Sequence, residues 1–493
     1  MSGPPRSVVI VGAGFCGTVL AVNLLRLAHG QPLHIILIER AQFARGLAYS
    51  RLRYPYLLNV PAGRMSATCE DPDEFLAFAR RSHADAAASD FLPRELYGEY
   101  LESLLRSAER RGAPGTVLQR ICGVAVAIER HHRRLGFTVH MADGRSIGAG
   151  NLVLATGNPA PAALPGAERL RGSARYVADP WQAPPRFQPG ESVLIVGTGL
   201  TMADVVLAGL PADGRRVQLH LLSRRGLIPA AQTPFVAADS LAYRDTLLSD
   251  AQTSVSLVRL SREVRRLAQE LAQGGDDWRT LITAIRKLAP ELWQRMPARA
   301  RRRFVTHLRP YWDVHRHRIP ASTAATLDRL QQDGQLKVHA ARVLGFEPAG
   351  QQIRVHFQPR GRHPSASLLV HRLINCTGPD YDVTRTRESL LRGLLAQGLV
   401  SADPLHLGLV TDSLGRLIGA SGSATPNLYY AGPLLRARDW ESTAAAELRV
   451  HAQRLAQHLS ATHAGIAHDI GTIVSAPQWR AGAVDTSRIS VIA

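Results

Sequence analysis

An α/β fold class with two nucleotide-binding domains is predicted for this 493-residue chain by one pattern that occurs twice. An apolar strand runs into a glycine loop and then a helix at residues 8–17, and again at 193–202. Each unit is followed by a second apolar strand, Leu33–Ile38 in the first and Val217–Leu222 in the second. Uninterrupted apolar strands alternating with helices imply parallel sheets covered on both faces. A helical insertion is expected inside the second domain.

The elements follow in order. Val8–Val11 reads as a strand, residues 15–28 as a helix, and Leu33–Ile38 as the next strand. A loop-rich stretch holds Gly46, Pro55, Pro61, Gly63 and Pro72, and helical patterns cover 72–81 and 94–110. Residues 117–155 are β-rich, with Asp143-Gly144 as a hairpin turn and Leu152–Leu154 running into Ala155-Thr156-Gly157. Prolines 159, 161 and 165 punctuate a domain boundary. The second unit opens at Ser192, an arginine-rich helical insertion spans about 250–335, and strands return over 336–375, ending at Cys376-Thr377-Gly378. Asn427–Tyr430 leads into Ala431-Gly432-Pro433, and a last helix covers about 441–460. The expected division is 1–160 with 376–463 as one discontinuous domain, 161–375 as the second, and 464–493 as a tail.

Composition narrows the function. With 45% hydrophobic and 20% charged residues the chain reads as globular. No apolar run approaches the ~20 residues of a membrane helix. Met1–Ser7 leads straight into a strand without a cleavage-site pattern, which points to a cytoplasmic protein. The net charge of +19 invites a nucleic-acid reading, but of 59 basic residues only Lys287 and Lys337 are lysines. The arginines are scattered, with no aromatic stacking platform woven through them, so nucleic acid is excluded as a partner and attraction of small anions is the useful consequence. Cysteines at 16, 69, 122 and 376 form no CxxC and no metal-ligand spacing, so neither a metal nor an adjacent dithiol is expected.

The chemistry sits in the two glycine loops. In Gly12-Ala13-Gly14-Phe15-Cys16-Gly17, Gly12 permits the turn, Gly14 lets backbone approach a pyrophosphate, and Gly17 lets helix and strand touch. Glu39 ends the second strand, where a carboxylate accepts hydrogen bonds from ribose hydroxyls. In Gly197-Thr198-Gly199-Leu200-Thr201-Met202 the third glycine is replaced by Met202, so this helix is expected to pack less closely. Its following strand ends in Ser223-Arg224-Arg225, a hydroxyl and two guanidiniums suited to a 2′-phosphate. Two Rossmann-like units of opposite charge therefore point to FAD in the first and NADPH in the second. The turns at Thr156-Gly157, Thr377-Gly378 and Gly432 read as crossings between domains and a closing strand beside the flavin.

These motifs carry a resemblance. With Gly46–Ser50, Leu57–Ser66, Pro93-Arg94-x-x-Tyr97-Gly98-x-Tyr100, Gly197–Asp204, Asp277–Arg279, Trp312–Arg318 and Trp440-Glu441-x-Thr443-Ala444, the chain resembles the bacterial FAD/NAD(P)-binding family. That family includes the FAD-dependent urate hydroxylase and the nitrosuccinate-forming aspartate N-hydroxylase. The resemblance covers positions 8 to about 455 and implies that loop 46–66 lies along the FAD. It also implies cofactor contacts at Phe15, Cys16, Arg40, Asn59, Met65, Leu200, Thr201 and Thr443. The region after Gly432 and the N-terminus of the last helix would approach the flavin ring, stabilising negative charge there. Tyr56 departs from the histidine expected before Leu57-Leu58-Asn59, so the flavin-side environment differs from relatives.

For the substrate, Trp312 beside Arg316, His317 and Arg318 suits an anionic or purine-like molecule held by stacking and bidentate hydrogen bonds. His317 is expected to move a proton near neutral pH. The same segment also reads as a capped helix end with solvated arginines and a structural tryptophan. NADPH would pass a hydride to flavin. Without a CxxC, oxygen is the simplest acceptor, and the resemblance implies a C4a-hydroperoxide that hydroxylates a urate-like purine or an amino-acid nitrogen. A reductase serving a protein or quinone, and a non-catalytic nucleotide sensor, are the competing readings.

Overall fold

A computed structural model describes residues 6–27, 32–50, 56–131, 136–182, 185–233, 241–248 and 255–461. The tail at 464–493 lies outside them.

The first sheet draws on both ends of the chain. β1 (Arg6–Val11) and β2 (Leu33–Glu39) flank helix α1 (Phe15–Leu27) and pair in parallel from Arg6↔Leu33 to Val11↔Ile38. Both strands are buried on both faces, with Val8, Val9, Ile10, Ile35, Ile36 and Leu37 fully enclosed, which is why they read as unbroken apolar runs. Helices α2 (Glu74–Ala79) and α3 (Arg94–Arg110) precede β3 (Val117–Cys122), which extends the sheet beyond β2. A meander of β4 (Ala125–Arg130), β5 (Phe137–Met141) and β6 (Ser146–Ala149) follows, and β7 (Asn151–Leu154) returns beside β1. The 72–81 pattern thus forms a helix only over Glu74–Ala79.

The second sheet repeats the plan. β8 (Tyr176–Val177), β9 (Ser192–Val196), helix α4 (Leu200–Gly209) and β10 (Gln218–Ser223) lead into six helices. These are α5 (Leu241–Leu248), α6 (Leu257–Gln273), α7 (Trp278–Arg295), α8 (Ala298–Arg303), α9 (Arg309–Arg316) and α10 (Ala321–Gln332). β11 (Leu336–Ala349) pairs in parallel with β10 through its first half and antiparallel with β12 (Gln352–Pro359) through its second; β13 (Ala366–Val370) and β14 (Arg372–Asn375) complete the order β13-β12-β11-β10-β9-β14-β8. The chain then re-enters the first sheet through α11 (Ser389–Ala396), β15 (Arg416–Ile418), β16 (Ala424–Tyr430) and α12 (Ala445–Ala461), giving β15-β16-β7-β1-β2-β3.

The two crossings between sheets run side by side. Pro161 bridges antiparallel to Pro379, the Asp380 amide donates to the Ala160 carbonyl at 3.2 Å, and the Asn375 amide group donates to the Ala162 carbonyl at 2.9 Å. The helical insertion interrupts the second sheet in sequence, yet buries much of its apolar face on the first unit. Leu281, Ile285, Leu288, Leu292 and Trp293 of α7 share a core with Leu407, Ala437 and Trp440. The Trp293 indole N–H donates to the Ala437 carbonyl at 3.0 Å. Among the described residues no helix is long and apolar enough to cross a membrane.

Candidate functional site

The first cradle is built by crowding. Gly12 has φ +105°, and a Cβ there would stand 2.2 Å from the Ala155 carbonyl; one on Gly17 would stand 1.9 Å from the Gly12 carbonyl. Glycine at both places lets the loop fold flat over the C-terminal ends of β1 and β7, aiming the N-terminus of α1 outward. Glu39 Oε2 accepts from the Ala13 N–H at 2.8 Å, and Oε1 accepts from the Arg40 and Ala41 amides at 2.9 and 3.2 Å. The carboxylate is therefore held against the glycine loop with acceptor capacity to spare.

A second loop closes over this one. Gly46, φ +56°, brings its backbone so near that a Cβ would lie 2.9 Å from Gly14 Cα. Arg45, 1% exposed, anchors the loop through Glu102 Oε1 and Oε2 at 2.5 and 3.2 Å. Gly98 on α3 admits the Tyr49 carbonyl, which a Cβ would meet at 2.4 Å. The spacing from Gly46–Ser50 to Tyr97-Gly98 is thus a steric requirement of this loop. Met65 and Cys16 are buried, Asn59 and Thr443 half-buried, and Arg40 exposed. Burial pushes the Cys16 thiol up to about 12. Gly432, φ +153°, closes the far side, with a Cβ there only 2.9 Å from the Tyr430 hydroxyl.

The second cradle is similar but open. Gly197, φ +99°, passes under the Cys376 carbonyl at the end of β14, where a Cβ would meet it at 2.2 Å. Nothing lies within 4 Å of a Cβ placed on Gly199, Gly157 or Gly378. Met202, in place of a third glycine, is fully buried among Val193, Ile195 and Val206. Ser223 turns inward, accepting from the Thr198 hydroxyl and the Gly226 amide, both at 3.0 Å. Arg225 donates to the His307 carbonyl at 3.0 Å and lies over the Tyr311 ring at 5.3 Å, while Arg224 is exposed. Of the Ser223-Arg224-Arg225 trio, Arg224 presents the exposed guanidinium, and Arg225 is tied to the π-helical turn Phe304–Leu308 that precedes α9.

An arginine-lined site lies where α7 and α9 of the insertion meet the turn Ala62–Arg64 and the segment 441–447. Glu441, 3% exposed, accepts from the Trp312 indole N–H at 3.1 Å and from Arg316 Nε at 2.8 Å. Arg286 pairs with Glu447 at 2.6 Å and approaches Glu441 at 4.0 Å. Arg64, from the turn Ala62–Arg64, is close enough to Arg286 and Arg316 that they and burial depress its pKa. Arg318 is lowered to about 10, first by burial and then by Arg279 and Arg316. The guanidiniums of Arg286 and Arg316 thus pair with the carboxylates of Glu447 and Glu441, and those of Arg64 and Arg318 lie close to Arg316. Arg286 Nε, Arg316 Nη2 and Arg318 Nε are buried donors with no hydrogen-bond partner. Unsatisfied buried donors cost stability, and several in one place mark a site for an acceptor-rich ligand.

The setting of His317 bears on the proton-transfer expectation for it. Burial, then Arg316, Arg436, Arg286 and Arg309, hold its pKa well below the ordinary value, so the neutral imidazole is favoured, a group that can accept a proton but is disfavoured as an acid. Trp312 spends its N–H on Glu441 and packs on the core under α7, so its polar end is structural. The last helix begins at Ala445, because the Ser442 amide turns back to Asp439 and those of Thr443 and Ala444 to Glu441. Thr443 therefore sits in the turn ahead of the helix.

Sequence reasoning gave no role to Arg64, Arg286, Glu441 or Arg436. Arg436 is 5% exposed and lies over the Trp440 ring at 4.0 Å, beside Tyr381 and Asp313. The available signal was an arginine inside the apolar run Pro433–Ala437 and an acid directly after Trp440.

Comparison with known proteins agrees with the fold. The family described as FAD-NAD(P)-binding matches residues 9–159, which hold the first cradle. No curated protein sequence matches. Among solved structures, the L-lysine 6-monooxygenase from Pseudomonas syringae aligns over 92% of this chain and 98% of its own, with TM-score 0.61 and 18% identity. The FAD-bound cadaverine monooxygenase from Erwinia amylovora covers 96% and 97%, with TM-score 0.58 and 13% identity. The ornithine N-hydroxylase of Kutzneria sp. 744, with reduced FAD, NADP+ and L-ornithine, covers 92% and 99%, with TM-score 0.57 and 18% identity. At these identities the likeness is one of fold.

Proposed function

We propose that this chain is an FAD- and NADPH-dependent monooxygenase that hydroxylates a small anionic metabolite, at an amino nitrogen or on a urate-like purine. The observation that carries the reading is the group of unpartnered guanidinium nitrogens on Arg286, Arg316 and Arg318, gathered where the insertion meets the first unit. Residues 1–160 with 376–463 would hold FAD through Gly12, Gly14, Gly17 and Glu39. Residues 161–375 would hold NADPH through Gly197, Gly199 and Arg224.

Bound FAD, reduced by NADPH, supplies activated oxygen. The protein's own part is charge and enclosure. Guanidiniums at Arg286, Arg316 and Arg318 would hold a carboxylate or urate-like anion, Arg316 being oriented by Glu441. Their surplus positive charge also lowers the pKa of any amine bound beside them, keeping the nitrogen a free base and hence a nucleophile. His317, held neutral, adds no further charge. The lysine, ornithine and cadaverine of the structural neighbours bring extra positive charge, which this site repels.

A disulfide-reducing form of the reductase reading would meet an obstacle in the buried thiols, whereas electron delivery to a quinone needs no thiol. Cys16 and Cys376 are buried and held protonated by that burial, which removes them as relays toward a disulfide.

The test is anaerobic reduction of the flavin-loaded chain by NADPH, followed by admission of oxygen with urate, aspartate, glutamate, ornithine, lysine or cadaverine. NADPH consumption should rise with an anionic compound, whose mass should gain one oxygen atom. Reoxidation that yields only peroxide with every compound, and fast electron delivery to a quinone, would replace the proposal with the reductase reading.

A further inference from the structure

Arg94 opens α3 in the first unit, and Asp204 lies on α4 in the second. Arg94 Nη2 stands 3.4 Å from Asp204 Oδ2, and the side chains are only 12% and 18% exposed. Around this pair the two units grip one another. The Arg94 guanidinium lies over the Trp181 ring at 5.3 Å, and Tyr56 meets the same ring edge-on at 5.6 Å. The Arg94 backbone N–H donates to the Tyr56 carbonyl at 2.8 Å. Arg94 and Tyr56 thus come from the first unit, and Asp204 and Trp181 from the second. This gives a place in the packing to the tyrosine that departs from the related sequences.

The position of Asp204 matters because α4 starts directly after Gly199. Its first turn is the one that would face the pyrophosphate of the second nucleotide. Whatever holds Asp204 against α3 therefore holds that cradle against the first. The crossings at Pro161 and Pro379 are two short segments, and the insertion docks on the first unit through α7 and not through α4, so neither by itself fixes where the first turn of α4 stands.

We propose that Arg94 and Asp204 are a positioning pair that registers the second nucleotide cradle against the first and so sets how fast NADPH reduces the flavin. The inference rests on the functional reading above. In the step concerned, the nicotinamide gives up a hydride, so NADPH is oxidised to NADP+ and the flavin is reduced by two electrons. A misalignment of about 1 Å in such a transfer costs on the order of a hundredfold in rate.

The pair also carries a pH signature. Burial raises the Asp204 carboxyl to about 6, overcoming the lowering by Arg94. The groups facing the pair are Cys376 at the end of β14, which Asp179 also approaches, and Tyr49 beside Arg94. As pH falls through about 6 the carboxylate takes up its proton and the ion pair is lost.

The experiment compares wild type, Asp204→Asn, Arg94→Gln and the charge-swapped pair Arg94→Asp with Asp204→Arg, each loaded with FAD. Flavin reduction by NADPH is followed by stopped flow from pH 5 to 8, and reoxidation of dithionite-reduced flavin serves as a control that ignores the second cradle. An independent readout is the distance between spin labels at Val117→Cys and Leu344→Cys, with Cys69→Ser and Cys122→Ser removing the exposed native thiols. Each single variant should slow NADPH reduction at least tenfold, leave dithionite-primed reoxidation unchanged, and broaden the label distance. The swap should recover part of the rate, and the acid limb near pH 6 should vanish in Asp204→Asn. Variants that reduce at the wild-type rate with an unchanged label distance would overturn the latch alone. A wild-type chain that binds FAD but is not reduced by NADPH would overturn the functional reading, while the label distances would still decide whether the pair registers the cradles.

Discussion

The two nucleotide cradles share a plan and differ in closure. In the first, Gly17 is pressed on the Gly12 carbonyl and the Gly46 loop covers Gly14. In the second, Met202 fills the third glycine position from within the core, and Gly199 has open space around it. A covered cradle suits a cofactor that stays, and an open one a cosubstrate that exchanges at each turnover. The charge at the strand end follows the same division, with the Glu39 carboxylate in the first and the exposed Arg224 in the second.

The contrast breaks first at glycine. Gly17→Ala puts a methyl 1.9 Å from a backbone oxygen that cannot move without dismantling the β1 turn. We expect a loss of several kcal/mol, on the order of 3–5, and a chain that purifies without flavin. Gly199→Ala, with nothing within 4 Å and φ −88°, should keep the fold, the melting temperature and the yellow colour, and raise only the KM for NADPH. Flavin absorbance per chain and a thermal melt distinguish the two. Equal flavin content in both variants would end the covered-versus-open distinction.

The next test concerns the arginine site beside the covered cradle. Glu441→Gln leaves Arg316 and the Trp312 N–H against a neutral amide inside a cationic site, at a cost of about 3 kcal/mol. The melting temperature should drop by several degrees, and an anionic substrate should bind more tightly as one competing negative charge disappears. Weaker anion binding in this variant would mean that Glu441 faces the substrate directly. In the open cradle, Arg224→Ala should raise the KM for NADPH by about a hundredfold while leaving NADH almost unaffected. Arg225→Ala should instead lower thermal stability, because that guanidinium is spent on the His307 carbonyl and the Tyr311 ring.

How much of this could be read in advance depends on sequence distance. The glycine turns, Glu39 and the strand-end charges were legible because each is set within one strand–turn–helix unit. The partnership of Glu441 with Trp312 and Arg316 spans 129 and 125 residues, and that of Arg94 with Asp204 spans 110. No local pattern encodes such pairs. The insertion shows the same limit: its helical character was evident, but not that α7 would pack on Trp440. For His317 the sequence showed the adjacent Arg316, but neither its burial nor Arg436 and Arg286, which add to the lowering of its pKa.

The smallest expected effect separates the strands beneath the cradles. Ile35 to Ile38 of β2 are aliphatic and no more than 1% exposed. The matching strand β10 buries His220 at 6% exposure, hydrogen-bonded to His339 across to β11 at 3.1 Å. Burial, then His339 and Lys337, lowers His220 to about 4, so the folded chain holds it neutral. A histidine that binds its proton more weakly when folded than when unfolded contributes stability above its unfolded pKa of about 6.5, and that stability drains as pH falls toward the folded value. Between pH 7.5 and pH 5 the loss from this one group is about 2 kcal/mol. Urea unfolding across that range should show the slope, and His220→Leu should flatten it even if its midpoint at pH 7.5 is lower. A slope that persists unchanged in His220→Leu would move the acid sensitivity elsewhere, with His451 on α12, also lowered to about 4 by burial, as the next group to replace.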